Sequence, residues 1–503
     1  MCRSFLRALV VVVIPSVHAA QTSDSLRATA DTARRASAAS SAGGLTLAHA
    51  VELAQSQGLA GVSARSARDA ARWNDRAFNE RLRPQLSLGG NAADLNRGIN
   101  PITLPTGETQ FVRQSENTST FGLRLSQKIP WSGGTFSVGS NLTRIDVFGD
   151  QNSQVWQTTP LSVGLEQDLF APRKLVWDER EESVGARIAE QQYLEAREDV
   201  AARASSAYFD LYAAQTAVEN ATANAAVNDT LYTLNKGRYE VGKIGENDLL
   251  QSELALLRAR ASLDQAKLDR DRADAALRRV LGLRGDGPIA LDPPTLPAVV
   301  DVDTAVAVSE ALRNASSVDA SELQEIRARR QVSTARFGNA FNAHISALYG
   351  YNQSAPVFNQ AYQALLDRQT VTVAVEMPLW QWGAGHADVE AARAQQKKAE
   401  ADARAQRQQL QEDARFAALQ LTQSQRVLQI SAKADTVADK RFEVAKNRYV
   451  IGKIGISDLY IAQSEKDAAV LAFVQALRGY WASYYQLRRV TLYDFEKGRE
   501  IAP

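Results

Sequence analysis

The segment Arg238-Tyr239-Glu240-Val241-Gly242-Lys243-Ile244-Gly245-Glu246-Asn247-Asp248-Leu249 returns 210 residues later as Arg448-Tyr449-Val450-Ile451-Gly452-Lys453-Ile454-Gly455-Ile456-Ser457-Asp458-Leu459. Each copy stands between two long proline-free stretches of helical composition. Two glycines three apart stop one helix, and a short polar residue starts the next. The pattern is the tip of a helical hairpin, made twice. It makes the 503 residues one duplicated unit rather than a string of unrelated domains.

Working outward, Lys174 to Lys236 holds 63 residues without a proline, rich in Ala, Glu, Gln and Arg. A straight helix of that length reaches about 95 Å. His386 to Lys446 is its counterpart, and the returning legs are Asp248 to Leu283 and Asp458 to Phe495. The legs end alike, in Leu277-Arg278-Arg279-Val280 and Leu487-Arg488-Arg489-Val490. Leu249, Leu256 and Leu263 fall seven apart, as on a coiled-coil seam. The alanines permit close helix approach, and the polar faces stay wet.

Ahead of the first arm, Leu45 to Arg83 has helical composition and stops before Pro84. Asp303 to Asn342 is its partner, with Arg68–Leu88 aligning on Arg327–Ala347 at an offset of 259 and Phe78 matching Phe337. The apolar period then changes from 3.6 to 2. Leu86 and Leu88, then Phe121, Leu123 and Leu125, then Leu161, Val163 and Leu165 alternate with polar residues. In the second half Ile345, Ala347, Tyr349 and Tyr351 share one face, and so do Val371, Val373 and Val375. Strands between lipid and a wet lumen alternate in this way, and so does a soluble sheet with one buried face. Pro130-Trp131-Ser132-Gly133-Gly134 reads as a turn joining Thr120–Ile129 to Thr135–Val147. Strand entry matches at 259 and exit at 210, so the first half is 259 − 210 = 49 residues longer there. Four strands are expected in the first half and two in the second. Both numbers are even, so the chain returns to the helical side each time.

The N-terminus reads as a secretory signal: Arg3 and Arg7, an apolar Ala8 to Val17, and Val17-His18-Ala19 before the cut, with cleavage after Ala20 as the alternative. The apolar run is too short to span a bilayer, which takes about 20 residues. The one cysteine, Cys2, precedes that run, so the mature chain has no disulfide framework and no cysteine metal site. No later segment offers a transmembrane helix, which leaves a soluble chain or a β-barrel. The net charge of +1 gives no reason to expect nucleic acid. The expected organisation is a signal peptide (1–19), a flexible leader (20–44), a first repeat (45–283) and a Pro/Gly-rich linker (284–302), then a second repeat (303–495) and a C-terminal tail (496–503). Strands are expected at about 85–168 and 343–379, and tips at 238–248 and 448–458.

Signal peptide, duplicated long hairpins, strand pairs between them and the Arg-Tyr-x-[Val/Ile]-Gly tip together resemble the TolC-type outer membrane efflux proteins. The resemblance covers about Leu45 to Phe495 and rests on the ordered, repeated combination rather than on any one motif. It implies a mainly α chain with a membrane β-barrel part. It also implies a homotrimer in which strands from three copies share one barrel in the outer membrane of a Gram-negative bacterium. The long helices would line a periplasmic tunnel. The tips would dock a periplasmic adaptor that links the duct to an inner-membrane transporter, and the chain itself would perform no chemistry. On the family pattern Tyr449 matches a gate tyrosine, Asp248 its hydrogen-bonding aspartate, and Asp458 an acidic ring on the three-fold axis. Ile454 stands where the best-known member has a gate arginine, and Ile461 where it has a second ring aspartate.

Each of these residues also has an ordinary reading. Asp248 and Asp458 sit where a carboxylate satisfies free helix N–H groups. Tyr239 and Tyr449 can pack against a neighbouring helix, the more so for Tyr239. Gly242, Gly245, Gly452 and Gly455 suit positive φ or close approach. As docking groups the tips offer those glycines with Arg238, Tyr239, Lys243, Arg448 and Lys453, although tip lysines are commonly just solvated. Trp131, Phe148, Trp156, Trp380 and Trp382 lie near strand ends, as interface girdles do; for Trp380 and Trp382 a place filling the junction of strands and helices is expected. The histidines His18, His49, His344 and His386 are scattered, no phosphate loop follows a strand, and Glu181 and Glu182 lie on a charged helix. Neither cofactor, metal nor catalytic group is therefore expected. The competing class is a periplasmic coiled-coil adaptor without a membrane barrel.

Overall fold

The structure is a computed structural model describing residues 44–502 apart from 104, 149–151, 286 and 294. The expected signal peptide and most of the expected leader lie outside the described residues. The described chain divides into two compact units, one of residues 44–58 and 204–297, the other of residues 59–203 and 298–502.

The first unit contains α1 (Leu47–Ser56), the distal part of α3 (Lys174–Glu240) and α4 (Glu246–Leu281). Thr46 caps α1, its hydroxyl accepting from the His49 N–H at 3.3 Å. The expected helix from Leu45 to Arg83 is interrupted after α1. A Cβ on Gly58 would stand 2.4 Å from the Ala54 carbonyl oxygen and 2.5 Å from that of Val280, so the chain passes α4 only because this residue has no side chain. The Pro/Gly-rich segment is bound down rather than loose. Tyr208 donates its hydroxyl to the Asp292 carbonyl at 2.6 Å, and the Gln215 amide donates to the Ile289 carbonyl at 2.8 Å. The Ile289 N–H donates to Asp274 at 2.9 Å, and Leu45 forms a bridge with Leu291. Burial pushes the Tyr208 hydroxyl up to about 12, so it stays a donor at any ordinary pH.

The second unit holds α2 (Leu59–Arg81), the strands, the proximal part of α3, α5 (Thr304–Asn314), α6 (Ser316–Gly338), α7 (Ala384–Val450) and α8 (Ile456–Thr491). The long helices repeat to the residue: α3 and α7 have 67 residues each, α4 and α8 have 36 each, and the starts differ by 384 − 174 = 210. The shorter helices repeat at a different offset from that expected. α2 and α6 start 316 − 59 = 257 apart, and the strands behind them 342 − 85 = 257 apart. The insertion is therefore 257 − 210 = 47 residues rather than 49. The expected offset rested on aligning Arg68–Leu88 with Arg327–Ala347, which the helix ends do not support.

Seven strands form one antiparallel sheet: β1 (Gln85–Asn91), β2 (Leu95–Thr103), β3 (Thr109–Lys128), β4 (Thr135–Phe148), β5 (Ser153–Leu169), β6 (Asn342–Ala355) and β7 (Leu366–Glu376). The order is β1-β3-β4-β5-β6-β7, with β2 also paired to β3. β1 pairs with residues 120–126 of β3 and β2 with residues 109–117, so they lie end to end along the same edge. The five strands of the first half thus fill four positions, and with β6 and β7 the sheet has six. The inserted pair is the β3–β4 hairpin, closed by the turn at Pro130–Gly134, where Gly133 has φ +79°. The register slips on β5 between Thr158 and Leu161, at Pro160, a residue with no N–H to give the ladder.

Alternation holds across the sheet. Leu86 and Leu88, Phe121, Leu123 and Leu125, Phe136 and Val138, Leu161, Val163 and Leu165, Ala347 and Tyr349, and Val371, Val373 and Val375 fall on one face. Most of these side chains are exposed, with no protein layer covering them. The opposite face carries Lys128, Arg124, Glu166, His344 and Arg368 among Ser, Thr, Asn and Gly. A soluble sheet would bury its apolar face, so this one meets lipid instead. No helix among the described residues is long and apolar enough to cross a membrane.

α7 and α8 pack along their length, with Ala418, Leu421 and Leu428 buried on α7 and Leu459, Ala462 and Leu477 buried on α8. Ser424 and Ser483 meet hydroxyl to hydroxyl at 2.8 Å across it. The C-terminal residues are not a free tail. β8 (Tyr493–Asp494) pairs with β9 (Arg499–Glu500), and Ile501 is buried beside Leu194 and Leu492.

Candidate functional site

Each tip is built from its own backbone. At the second, the Gly452 N–H donates to the Tyr449 carbonyl at 2.9 Å and the Lys453 N–H to that of Arg448 at 2.9 Å, with Gly452 at φ +75°. This left-handed residue ends α7 in the way glycine ends many helices. Gly455 then opens α8 as its N-cap at φ −77° and ψ 164°, ordinary extended backbone. The first tip repeats this within its own unit. Gly242 has φ +68°, its N–H donates to the Tyr239 carbonyl at 2.9 Å, and Lys243 donates to Arg238 at 2.8 Å. Gly245 caps α4 at φ −80°. Positive φ is therefore required of Gly242 and Gly452 but not of Gly245 and Gly455. The short polar residue expected to start each returning helix is not its cap, which is glycine in both copies.

Asp458 is exposed, and its Oδ2 accepts from the Gly455 N–H at 3.4 Å, a weak reach back from the first turn of α8. Asp248 is half-buried in the first turn of α4, beside Glu246 in sequence. The two tyrosines differ in exposure. Tyr449 is 5 % exposed, whereas Tyr239 is 41 % exposed. The Tyr449 side chain is thus buried at the end of α7, and the Tyr239 ring is the more exposed of the two. Arg448, Lys243 and Lys453 are exposed and Arg238 half-buried. Ile454 is half-buried and Ile461 exposed.

Sequence reasoning passed over Tyr460. Its hydroxyl is buried without a hydrogen-bond partner among the described residues, and burial, with Tyr449 nearby, pushes it up to about 12. Further along the same hairpin Lys466 pairs with Asp439 at 2.8 Å, and Arg441 pairs with Glu465. Burial first, and the Asp439 charge second, raise Asp435 above the usual carboxylate range. Higher on the helices lies a second group that no motif announced. Arg488 of α8 grips Glu198 of α3 with two bonds of 2.7 and 3.1 Å, and also reaches Asp494 at 2.6 Å and the Tyr484 hydroxyl at 3.1 Å. Glu198 and Asp494 are buried. Burial opposes the charge of Arg488, but its bonds to Glu198 outweigh this and hold the guanidinium above its ordinary value. The signal for it was visible: Arg278-Arg279 and Arg488-Arg489 end both returning legs, and a buried arginine needs an acid.

The aromatics divide between the ends of the sheet. Trp131 sits exposed in the β3–β4 turn. Trp156, at the other end, packs edge-on against Phe358 at 5.2 Å and lies under the Arg144 guanidinium. Trp380 and Trp382 pack on each other at 5.3 Å yet are both largely exposed, so in this chain they do not fill the junction as expected. Exposed tryptophans at the helix-side end of an apolar face suit the headgroup level of a bilayer.

Comparison with known proteins agrees with this geometry. The sequence pattern of the outer membrane efflux protein family matches residues 51–283 and 307–491, most of the chain. Comparison with curated protein sequences gives no match. Among solved structures, the outer membrane channel CmeC of Campylobacter jejuni superposes with a TM-score of 0.62 at 16 % identity, over 91 % of this chain and 87 % of that one. The outer membrane protein VceC of Vibrio cholerae gives 0.62 at 16 % identity, over 88 % and 95 %. The open MtrE channel of Neisseria gonorrhoeae gives 0.58 at 15 % identity, over 88 % of each chain. At such identities the likeness shows a shared fold: long helices joined to membrane strands. The family match, the duplicated hairpins and the bare apolar sheet lead to one conclusion: this chain belongs to the outer membrane efflux protein family, as the outer-membrane channel of an efflux system that extends into the periplasm.

Proposed function

We propose that three copies of this chain close into one passive export duct coupled to a periplasmic adaptor and an inner-membrane transporter. The observation that carries the reading is the sheet with a bare apolar face and two open edges, β7 on one side and β1 with β2 on the other. An open edge in lipid leaves backbone groups unpaired, and closure on further copies removes the edges. Six positions per chain make 3 × 6 = 18 strands. At usual strand spacing and tilt that is a backbone radius of about 18 Å, against about 12 Å without the inserted hairpin. A wet lumen follows, as in porins of similar strand number.

The duct carries solute without chemistry of its own, the energy coming from the transporter. The tips, with their exposed lysines and bare glycine backbones, are the adaptor's docking points. Tyr449, Asp248 and Asp458 narrow the mouth. Against the adaptor reading stands the sheet itself, which a coiled-coil periplasmic protein would not expose. The test is purification in detergent followed by planar-bilayer recording. A heat-resistant trimer with single-channel conductance is expected, and a monomer that forms no channel would overturn the reading.

A further inference from the structure

One register row crosses the polar face of the sheet from edge to edge: Ser87, Arg124, Gly139, Ser162, Gly350, Arg368. The two arginines stand on β3 and β7, four strand spacings or about 19 Å apart. Between them the row holds only glycine and serine. Part of that smallness is forced, because a Cβ on Gly350 would fall 2.4 Å from the Leu161 carbonyl oxygen. Its consequence is clear space between two long side chains. Arg124, Arg368, Gly139, Ser162 and Gly122 line a shallow concavity of about 460 Å³ on this face.

On the polar face the charges are not answered nearby; Asp367, next to Arg368 in sequence, falls on the other face of β7. The next row towards the helices is Gln85, Ser126, Ser137, Gly164, Leu348 and Thr370, without a charge. Glu166 lies four residues along β5 from Ser162, about 13 Å away. Outward, Glu116 lies eight residues along β3 from Arg124, about 26 Å away. Neither arginine forms an ion pair among the described residues, and both are exposed. At physiological ionic strength charges more than about 8 Å apart are largely screened, so the acids do not cancel the row.

We propose that Arg124 and Arg368 form a basic collar inside the barrel that binds small polyvalent anions, polycarboxylates or phosphate esters, as they pass. The collar rests on the trimeric duct reading. When β7 of one copy lies beside β1 of the next, the arginines alternate around the lumen, six in all, at four and then two strand spacings. A guanidinium gives paired donors that match a carboxylate or phosphate, so a polyanion bridging two of them is held more firmly than a monovalent ion. The collar lies at the opposite end of the conduit from the acidic tip residue Asp458, so the two ends favour ions of opposite sign.

The probe is inositol hexakisphosphate, added to each side in turn of a bilayer holding the purified trimer. The parent channel should show brief blocks from the barrel side at micromolar concentration. Arg124→Ser with Arg368→Ser, which matches its neighbours in the row, should weaken that block at least tenfold while the trimer persists. Arg124→Lys with Arg368→Lys should fall between. Equal block of the parent and the serine variant overturns the collar and leaves the duct standing, as does block from the tip side alone. A parent that never conducts removes the duct, and the collar with it.

Discussion

Replacing Arg488 by methionine tests whether the helices are held by the buried ion group or merely decorated by it. Among the described residues the guanidinium supplies both bonds that Glu198 makes, at 2.7 and 3.1 Å, and Glu198 is 2 % exposed. Asp494 loses less, since one of its oxygens also accepts from the Glu496 and Lys497 N–H groups at 3.1 and 3.2 Å. Arg488→Met therefore strands one buried carboxylate, and stranding a buried charge costs about 3–5 kcal/mol. At about 1.4 kcal/mol per tenfold this is roughly two to three and a half decades in local opening. The assay is native-state hydrogen exchange of the last turns of α8, where the protection of Leu487 to Leu492 should fall by that factor. Glu198→Met with Arg488→Met removes both charges and should recover most of the loss, because a buried pair is worth little against apolar side chains of like volume. A single variant as protected as the parent, or a double variant as exposed as the single, refutes the reasoning. pH offers no escape. The raised Arg488 value means its contribution is fully present below the ordinary 12.5 and fades only above it.

The two glycines of the second tip should behave differently. Gly452→Val forces a branched residue to φ +75°, a strain of about 1–2 kcal/mol, and should impair adaptor-dependent export while the trimer persists; full export would count against docking at the tip. Gly455→Ser meets no strain at φ −77° and should export normally, with a gain of a few tenths of a kcal/mol at the cap, so loss of export in a folded trimer would make that glycine a contact instead. Asp458→Ala should relieve block by polyvalent cations applied from the tip side, and unchanged block and selectivity would reject its place in the constriction. Asp435 is raised, so its contribution is present below the ordinary 3.8 and is lost as pH rises through the folded value. Asp435→Asn should therefore melt higher than the parent at pH 7 but not at pH 3, and equal melting at both would show the carboxylate to be solvated.

The repeats were legible because helix lengths and turn glycines are local. The 210-residue register of the tips reappears in the ends of α3, α4, α7 and α8. The strand alternation was equally local, but its meaning was not. Only the bare apolar face of the assembled sheet separates lipid from a soluble core. The 259-residue offset failed, since Phe78 and Phe337 are not equivalent when α2 and α6 are matched end to end. The break after α1 and the anchored linker depend on contacts of Gly58 and Asp292 with distant residues, which no window of sequence contains. The difference in burial between Tyr239 and Tyr449 has the same origin. The motif is shared, while the side of the hairpin each ring faces is set by packing.

The 47-residue insertion leaves the helical register untouched on either side of it. A polypeptide crossing a bilayer an odd number of extra times would deliver its next helix to the wrong compartment, whereas a hairpin restores it. In the proposed trimer calibre can therefore grow only two crossings at a time in each protomer, and six at a time in the assembly, with the helical hairpins unchanged.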